Sequence, residues 1–255
     1  MPRRFRVESC GYHHVYNRGV AKGLIFKDDF DKEKFLKILD EVCRSYKFNI
    51  HSFCLMNNHY HLLIENQREN LSDGMRQINS QYASYFNKRH KRVGHLWQGR
   101  FKSWYVLDEN YLFTLFRYIE SNPIKAKMSS RVGEYKYSAI YSILRDAIPR
   151  FLQNTFVLRE YSTRELFESL HLAMTKSELA DIDKMQKTKY KEIDHHKIAI
   201  KQISLDELFK DTENRHERDL AILKAYEDGY TKSEIARKIS FSAAGVSKIL
   251  KKLKV

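Results

Sequence analysis

The sequence contains few of the residues that break secondary structure or cross-link a chain. Its 255 residues include nine glycines, three prolines and three cysteines, Cys10, Cys43 and Cys54. So little glycine and proline argues against a collagen-like or low-complexity chain and favours helix. The cysteines are odd in number and form no Cys-x-x-Cys pair. This argues against a disulfide framework or a thiolate zinc site and predicts reduced thiols in a cytosolic protein.

Long apolar runs are also missing. No segment approaches the ~18 apolar residues that are needed to span a bilayer. Residues 1–6 are basic, but no apolar segment follows them, so the sequence predicts neither a signal peptide nor a membrane partner. We therefore expect a cytoplasmic protein, associated with the nucleoid if it binds DNA.

Positive charge and aromatic side chains, in contrast, are abundant. There are 46 Lys and Arg against 32 Asp and Glu, a formal net charge of +14, together with 16 Tyr, 15 Phe and two Trp. Because cationic side chains neutralise phosphates and flat rings stack on unpaired bases, this composition favours nucleic acid as a partner. A charge that only keeps the protein soluble is the alternative.

The excess of positive charge lies in two parts of the chain. Residues 1–150 hold 26 Lys and Arg against 15 Asp and Glu, residues 151–200 hold eight of each, and residues 201–255 hold 12 against nine. We therefore predict a basic first domain at 1–150, a neutral helical connection at 151–205 and a basic module at 206–255.

Hydrophobic patterning predicts an α+β fold for the first domain. Strand-like segments occur at residues 12–17, 48–56, 59–65 and 103–107, and helical spacing follows Asp28, runs from Leu71 to Tyr85, and runs from Asp108 to about Ser121. The order β-α-β-β-α-β-α implies an antiparallel sheet with helices on one face. Pro123 is expected to help end the last helix, because helical geometry at Asn122 is disfavoured before proline.

The connecting residues 151–205 are predicted to be helical and to carry no chemistry. Phe167, Leu170 and Met174 form a plausible buried stripe. Residues 184–201 are polar, so they suit a linker or an exposed helix.

The C-terminal residues predict three short helices in an all-α module. The first carries Leu220, Leu223 and Tyr226 and ends at Gly229, the second opens with a capping box at residues 231–234, and the third has Ser242 as its N-cap. A tight turn before the last helix is typical of a helix-turn-helix. The DNA-binding residues of that helix would be Ser247, Lys248, Lys251 and Lys252. A small helical capping domain with a solvated lysine face is the alternative.

Two histidines on one predicted strand form the first candidate site. His59 and His61 are two residues apart, so both imidazoles point to the same face and could reach one cation. Tyr60 would point to the other face. An ordinary pair of surface or core histidines explains the same spacing.

A tyrosine and an asparagine on one predicted helix form the second candidate site. Tyr118 and Asn122 are four residues apart and therefore share a helix face. A phenol beside an amide oxygen suits a site in which a metal lies between them. The alternative is that Tyr118 is an ordinary amphipathic residue and Asn122 a C-terminal cap.

The basic segment, residues 88–102, is the third candidate site. It contains six Lys and Arg, no Asp or Glu, and the aromatic residues Trp97 and Phe101. Its cations could neutralise phosphates and its rings could stack on the bases of an unpaired strand. The predicted DNA-binding residues are Lys88, Arg89, Lys91, Arg92, Trp97, Arg100 and Lys102. A solvated loop is the alternative.

Taken together, these motifs resemble one family. In order, they are Tyr12-His13-His14-Val15-Tyr16-Asn17-Arg18-Gly19, Asn57-Asn58-His59-Tyr60-His61, Gly94-His95-Leu96-Trp97-Gln98-Gly99-Arg100-Phe101, Asp108-Glu109-Asn110-Tyr111-Leu112 and Arg117-Tyr118-Ile119-Glu120-Ser121-Asn122-Pro123. This ordered set resembles the REP-associated tyrosine transposases, which belong to the single-tyrosine HUH transposases. The resemblance covers about residues 5–145, and an added C-terminal DNA-binding module is compatible with it.

The resemblance implies a ferredoxin-like fold with the histidines on a central strand and the tyrosine on a neighbouring helix. It implies that His59, His61 and Asn122 bind a divalent cation, Mg²⁺ or Mn²⁺. The wider family often has Gln at the last of these places, whereas Asn suits this subgroup. Tyr118 would be the nucleophile, and Tyr111 is a rival phenol further from Asn122.

The reaction implied by the resemblance is cleavage of single-stranded DNA next to a hairpin. Attack by the tyrosine on a phosphodiester gives a 5′-phosphotyrosine and a free 3′-hydroxyl, and the strands are rejoined without ATP because bond energy is retained. A phenol titrates near pH ~10, so it needs help at neutral pH, which a cation at the phosphate supplies. The resemblance allows a monomer or a homodimer, and double-stranded DNA is an expected partner of the C-terminal module.

Two other functions compete with this interpretation. A non-catalytic DNA-binding regulator derived from such a transposase would use only the helix-turn-helix, and the complete set of candidate site residues argues against it. An RNA-directed nuclease or toxin would suit the basic charge but has no use for the paired histidines and the tyrosine. A covalent adduct between protein and DNA distinguishes all three.

Overall fold

Two compact units make up the described part of the chain. The structure is a computed structural model that describes residues 7–187, 191–194, 197–199, 204–210, 212, 214–227, 230 and 232–253. Glu8–Met185 form the first unit, and the described residues from Gln186 onward belong to the second. The first unit thus includes residues 151–185 as well as the segment predicted to be α+β.

A four-stranded antiparallel sheet is the centre of the first unit. Its strands are β1 (Gly11–Arg18), β2 (Phe48–Leu55), β3 (His59–Asn66) and β4 (Lys102–Tyr105). Their order across the sheet is β2-β3-β1-β4, and every neighbouring pair is antiparallel. This topology is ferredoxin-like, with β1 and β3 in the middle. The predicted fold class is confirmed.

Two long helices, α1 (Asp29–Tyr46) and α2 (Leu71–Arg89), cover one face of the sheet. The first begins where the sequence predicts, because the side chain of Asp28 accepts a hydrogen bond from the backbone N–H of Asp31. Between helices and sheet, the ring of Tyr60 lies 4.9 Å from that of Phe35, and its hydroxyl donates to Asn79 Oδ1 at 2.9 Å. This buried layer is the hydrophobic core of the unit.

Two helical segments follow β4, a 3₁₀ turn at Glu109–Tyr111 and α3 at Leu112–Glu120. The second lies against the face of the sheet that α1 and α2 leave open. There the ring of Tyr118 faces that of His61, and Glu120 accepts a hydrogen bond of 2.7 Å from Ser52 Oγ. The prediction that the helices lie on one face of the sheet is therefore correct for α1 and α2, whereas α3 lies on the other face.

Pro123 does not end helical geometry at Asn122. The helix α3 ends at Glu120, but a further helical turn, α4 (Asn122–Lys125), follows with the proline in its first turn. Proline fits there, because its missing N–H would have no partner in the first turn of a helix. The predicted effect of Pro123 on Asn122 is wrong, and Asn122 continues the helical path of α3.

Four more helices follow: α5 (Ala139–Leu144), α6 (Phe156–Glu160), α7 (Thr163–His171) and α8 (Lys176–Lys187). The start of α6 is fixed to the sheet through the buried His51. Thr155 Oγ1 donates to the backbone carbonyl of His51 at 2.9 Å, and the backbone N–H of Phe156 donates to its Nδ1 at 3.0 Å. Residues beyond 150 are therefore part of the same core as the sheet.

The predicted stripe in this region is only partly buried. Leu170 is buried together with Leu166, four residues earlier on α7, whereas Phe167 is 47% exposed and Met174 lies beyond the end of the helix. The prediction is therefore wrong for Phe167 and Met174, because the apolar face of α7 runs through positions four residues apart.

A short hairpin interrupts the segment that was predicted to be a linker or an exposed helix. Its strands, β5 (Lys191–Asp194) and β6 (Lys197–Ala199), pair antiparallel. The prediction of an all-α region after residue 150 is wrong at this hairpin. Strands of four and three residues are too short to show the alternation that identifies a strand in a sequence.

The rest of the second unit contains α9 (Leu205–Leu208), α10 (Arg215–Glu227), α11 (Lys232–Lys238) and α12 (Ala243–Leu253). Their small core is formed by Ile222, Ala225, Ile235, Ala236, Val246 and Leu250. The predicted N-cap of α12 is present, because Ser242 Oγ accepts a hydrogen bond of 3.0 Å from the backbone N–H of Gly245. Of the predicted stripe on α10, Leu223 and Tyr226 pack against this core, whereas Leu220 is 46% exposed, so the prediction is wrong only for Leu220.

Two predicted features of this unit, the helix stop at Gly229 and the cap at Thr231, lie outside the described residues. None of the helices in the described part of the chain combines the length and apolar character that crossing a membrane requires.

Candidate active site

The two histidines of β3 lie on the sheet face that α3 covers. Their ring centroids are 5.2 Å apart, and the ring of Tyr16, from the neighbouring strand, lies 5.5 Å from His59 and 4.9 Å from His61. His61 is buried, whereas His59 is partly exposed. The predicted alternation on β3 is therefore correct, since Tyr60 between them points into the opposite core.

Both imidazoles are held in their neutral form. Burial and the positive charge of Arg18 lower the pKa of His59 to about 4. Burial lowers the pKa of His61 well below its usual value, and His14, His59 and Lys125 add to this effect. Neutral imidazole is the form that binds a metal, because its lone pair is free.

A third histidine supports this pair. Nε2 of His14 lies 3.0 Å from Nδ1 of His61, so one proton is shared between the two rings. His14 is fully buried, which lowers its pKa to about 3. Its Nδ1 has no hydrogen-bond partner among the described residues. When His61 Nδ1 carries the shared proton, its Nε2 is left as a metal ligand, an arrangement that is typical of metal-binding histidines.

Tyr118 is the phenol that the fold brings to the histidines. Its ring centroid is 6.2 Å from that of His61 and 6.1 Å from that of His14, edge to face in both cases. Lys125 Nζ lies 4.3 Å from the centre of the same ring. Tyr111 is 39% exposed on the 3₁₀ turn that precedes α3, and no ring contact joins it to a histidine in the described part of the chain. The geometry favours Tyr118 over Tyr111.

Asn122 is oriented by the helix that carries the tyrosine. Its Nδ2 donates to the backbone carbonyls of Tyr118 at 2.8 Å and Ile119 at 3.1 Å. Its Oδ1 receives no hydrogen bond from the described residues, so the amide oxygen remains available as an acceptor or ligand. Asn122 thus caps the C-terminal end of α3, as the alternative interpretation of this residue predicts. Because these bonds use Nδ2, the amide oxygen is the atom that remains available to a ligand.

This donor set fits a small divalent cation. Two neutral imidazoles and an amide oxygen are borderline to hard ligands, compatible with Mg²⁺ or Mn²⁺. The described residues contain no cluster of three or more His, Cys, Asp or Glu side chains that could hold a metal. A cation at His59 and His61 would therefore need the amide oxygen of Asn122 as its third protein ligand.

Two arginines of the basic segment bond to other residues of the protein. Arg89 forms a two-pronged salt bridge with Asp28, at 2.6 and 2.7 Å, and a further one with the buried Asp31. Arg92 donates to Asn87 Oδ1 and to two backbone carbonyls of its own loop. The structure thus gives both guanidinium groups an architectural role in place of the predicted DNA contact.

Trp97 is likewise a packing residue. Its indole N–H donates to the backbone carbonyl of Asn79 at 2.9 Å, and its ring packs against Tyr60 and Tyr82. The predicted stacking on DNA bases therefore does not fit its position. Trp104, which the sequence did not single out, lies on β4 with its ring 5.1 Å from His14 and so borders the candidate site.

The other predicted DNA-binding residues are on the surface. In the basic segment these are Lys88, Lys91, Arg100 and Lys102, and on α12 they are Lys248, Lys251 and Lys252. Ser247 is half-buried, and its Oγ accepts a hydrogen bond of 2.8 Å from Lys232 Nζ. The lysine face of α12 is thus exposed as the sequence predicts.

Comparison with known proteins finds similarity to transposases. The chain is similar to the solved structure of a REP-associated tyrosine transposase bound to a REP hairpin, with 18% identity over 58% of this chain and 88% of that one and a TM-score of 0.47. It is also similar to a putative transposase from Deinococcus radiodurans R1, with 14% identity, 48% and 97% coverage and a TM-score of 0.34. No protein of curated function matches it. Residues 6–122 match the family model of IS200-like transposases, and this match confirms the transposase resemblance of the sequence.

Proposed function

We propose that this protein is a REP-associated tyrosine transposase that cuts and rejoins single-stranded DNA next to a hairpin. The observation that carries the proposal is the position of Tyr118, whose ring lies edge-on to His61 and His14 on the sheet face that α3 covers. It is supported by the match of residues 6–122 to the family model of IS200-like transposases. Such an enzyme works in the cytoplasm, at the nucleoid.

In the proposed reaction the Tyr118 hydroxyl oxygen attacks a DNA phosphorus atom. A bond from phosphorus to the phenol oxygen forms, the bond to the 3′ oxygen breaks, and that oxygen takes up a proton. Because Tyr118 is only partly buried, its own proton can pass to water. The product is a 5′-phosphotyrosine and a 3′-hydroxyl, and attack by another 3′-hydroxyl reverses the step.

The protein's own residues prepare this attack. Packing of α3 on the sheet places the phenol, which matters because alignment of reacting atoms lowers the barrier. Lys125 contributes positive charge beside the tyrosine ring. His59, His61 and Asn122 would hold a Mg²⁺ or Mn²⁺ ion, which supplies Lewis-acid stabilisation of the phosphate charge.

Trapping the covalent intermediate tests this function. The substrate is a hairpin flanked by single strands and labelled at its 3′ end, in the fragment whose 5′ phosphate stays bonded to the tyrosine. We expect wild-type protein with Mg²⁺ or Mn²⁺ to form a labelled protein–DNA adduct, and Tyr118→Phe to form none while DNA binding persists, because the nucleophile is lost. Tyr111→Phe is the matched control and keeps the adduct.

Other results of this experiment would contradict the proposal. Adduct formation by Tyr118→Phe and its loss in Tyr111→Phe would move the nucleophile to Tyr111. Cleavage that is indifferent to EDTA and to His59→Ala or His61→Ala would remove the metal from the mechanism. Binding without any adduct in the wild type would favour a non-catalytic regulator.

The exposed lysines of α12 support a second part of the proposal, that the C-terminal helices bind double-stranded DNA as a helix-turn-helix. Lys248, Lys251 and Lys252 lie on one short helix whose opposite side packs through Val246 and Leu250. A basic exposed helix after a tight turn suits the major groove.

A further inference from the structure

The helix that carries Tyr118 is held by residues beyond position 150 as well as by the sheet. Phe113 and Phe116 are three residues apart on α3 and therefore share a face. The Phe113 ring stacks on that of Tyr161 with the centroids 4.5 Å apart, and the Phe116 ring faces that of Phe156 at 6.2 Å. The helix α3 therefore contacts the sheet through one face and the segment around α6 through another.

A charged contact joins α3 to the next two helices at the residue that precedes the proposed nucleophile. Arg117 Nη1 forms a salt bridge with Glu178 Oε1 on α8, and its Nη2 donates to the backbone carbonyl of Leu172, just after α7, at 2.8 Å. Only 11% of the Arg117 side chain and 25% of the Glu178 side chain are exposed, so salt and water screen the pair little. The guanidinium group is thereby fixed at two points outside α3.

Glu178 is itself held in place by the start of α8. Its second carboxylate oxygen, Oε2, accepts a hydrogen bond of 2.7 Å from the backbone N–H of Thr175, and its own N–H donates to Thr175 Oγ1 at 3.1 Å. These reciprocal bonds are a capping box, which fixes the first turn of a helix. The carboxylate thus has one oxygen for the helix and one for Arg117, and it offers the arginine a rigid anchor.

We propose that Glu178 is a positioning residue for the tyrosine: through Arg117 it fixes α3, and with it the place of the Tyr118 hydroxyl beside His59 and His61. The inference rests on the proposed function, because it concerns the same nucleophile. A displacement of about 1 Å can lower a reaction rate about 100-fold, so a contact that holds the helix affects the rate of attack more than the binding of DNA. A residue of the segment that the sequence predicts to carry no chemistry therefore contributes to the reaction.

A matched pair of substitutions separates this role from simple helix capping. Glu178→Ala removes both a capping-box carboxylate and the partner of Arg117. Glu165→Ala is the control, because Glu165 accepts a hydrogen bond of 2.9 Å from the backbone N–H of Ser162 in the capping box of α7, and its side chain bonds only to that serine within the described part of the chain. The two substitutions remove the same kind of cap, and only the first releases α3.

The rate of Tyr118 adduct formation is measured for the full chain with Mn²⁺ and saturating hairpin DNA, and the Kd for the same DNA is measured in the Tyr118→Phe background. The temperature is one at which thermal unfolding shows every variant to be folded. We expect Glu178→Ala to slow adduct formation about tenfold while Kd changes less than about twofold, since attack and not binding is impaired. We expect Glu165→Ala to change both quantities by less than about twofold.

An arginine variant tests whether Glu178 acts through Arg117. Arg117→Met keeps the apolar stem and removes the charge, so we expect a loss of rate at least as large. Because both substitutions remove one contact, the double variant is expected to be no slower than Arg117→Met alone.

Three results would overturn the inference. They are adduct formation by Glu178→Ala as fast as by Glu165→Ala, a loss of affinity in place of a loss of rate, and losses that multiply in the double variant. In each of these cases the wild type still forms the adduct, so the proposed function stands. If the wild type forms no adduct, the proposed function fails and this inference fails with it.

Discussion

At the scale of single residues, Glu120 is an ionisable group buried beside the proposed nucleophile. It lies two residues after Tyr118, is 2% exposed, and accepts hydrogen bonds from Ser52 Oγ at 2.7 Å and the backbone N–H of Ile140 at 3.1 Å. Burial raises its pKa from 4.5 to about 7, since desolvation outweighs these hydrogen bonds. Folding therefore favours the protonated carboxyl, so the contribution of Glu120 to stability is fully present below pH ~4.5 and is lost as the pH rises to ~7.

We predict that Glu120→Gln removes this pH dependence. The amide stays neutral, its oxygen can accept from Ile140, and its nitrogen can donate to the Ser52 hydroxyl, which rotates. At about 1.4 kcal/mol per pKa unit, the wild type loses roughly 3 kcal/mol across this range relative to the variant. Urea unfolding at pH 4.5 to 8 measures this difference. Glu41→Gln, on the exposed side of α1, is the control, and parallel stability curves for wild type and Glu120→Gln would refute the prediction.

The same scale shows how much of the candidate site the sequence predicts. Period two on a strand is enough to put His59 and His61 on one face, and period 3.6 on a helix is enough to align Tyr118 with Asn122. The contributions of His14 and Lys125 depend on contacts between separate elements, 3.0 Å across two strands and 4.3 Å between α4 and α3. Local periodicity carries no information about such contacts.

At the scale of elements, the junction between α1 and α2 explains why a basic residue near a DNA site is not always a DNA ligand. Arg89, in the last turn of α2, bonds Asp28 and Asp31 at the start of α1, and His90 Nε2 also lies 2.9 Å from Asp31 Oδ2. Asp31 has no exposed surface, so its charge depends on these partners. Lys88, one residue earlier, is exposed and has no such partner in the described part of the chain.

This contrast predicts opposite effects for two neighbouring substitutions. Arg89→Ala leaves the buried Asp31 carboxylate with only His90 and the backbone N–H of Lys27 as partners, which lowers the free energy of unfolding. Lys88→Ala changes the free energy of unfolding by less than about 0.5 kcal/mol. It instead weakens DNA binding and lowers the number of ions released on binding, measured as the slope of log K against log salt concentration, by about one. Chemical unfolding and binding titrations at several salt concentrations separate the two. A loss of DNA affinity without a loss of stability in Arg89→Ala would contradict our assignment.

Elements were predictable where local signals and tertiary packing agree. The helix after Asp28 and the strand at His59 follow from a cap and from alternation, and the structure keeps both. The helical turn at Pro123 and the paired strands β5 and β6 were not predicted. A proline can end one helix or stand in the first turn of the next, and strands this short show no clear alternation, so each sequence signal fits more than one structure. In the basic segment, composition alone does not separate an arginine that binds carboxylates, Arg89, from lysines that face solvent.

At the scale of the whole molecule, exposed positive charge lies on both compact units. The first holds the candidate active site and the exposed cations of the basic segment, and the second presents three lysines on α12. Each unit has its own hydrophobic core. We infer that the units bind DNA independently and that the first can act alone.

This division leads to a prediction about truncation. A chain that ends at Met185 keeps the whole first core, so we expect it to unfold cooperatively and to form the Tyr118 adduct, with weaker and less salt-dependent DNA binding.

A chain that ends at Arg150 loses the buried Phe151 and Phe156, uncovers the sheet, and leaves His51 Nδ1 without its backbone donor. Burial of two phenylalanines contributes several kcal/mol, comparable with the whole stability of many domains. Thermal unfolding should therefore show a cooperative transition for the longer chain only. If the chain that ends at Arg150 unfolds cooperatively and is active, residues 151–185 are not needed for the fold of the first unit. If the chain that ends at Met185 binds DNA with unchanged affinity, α12 contacts something other than DNA.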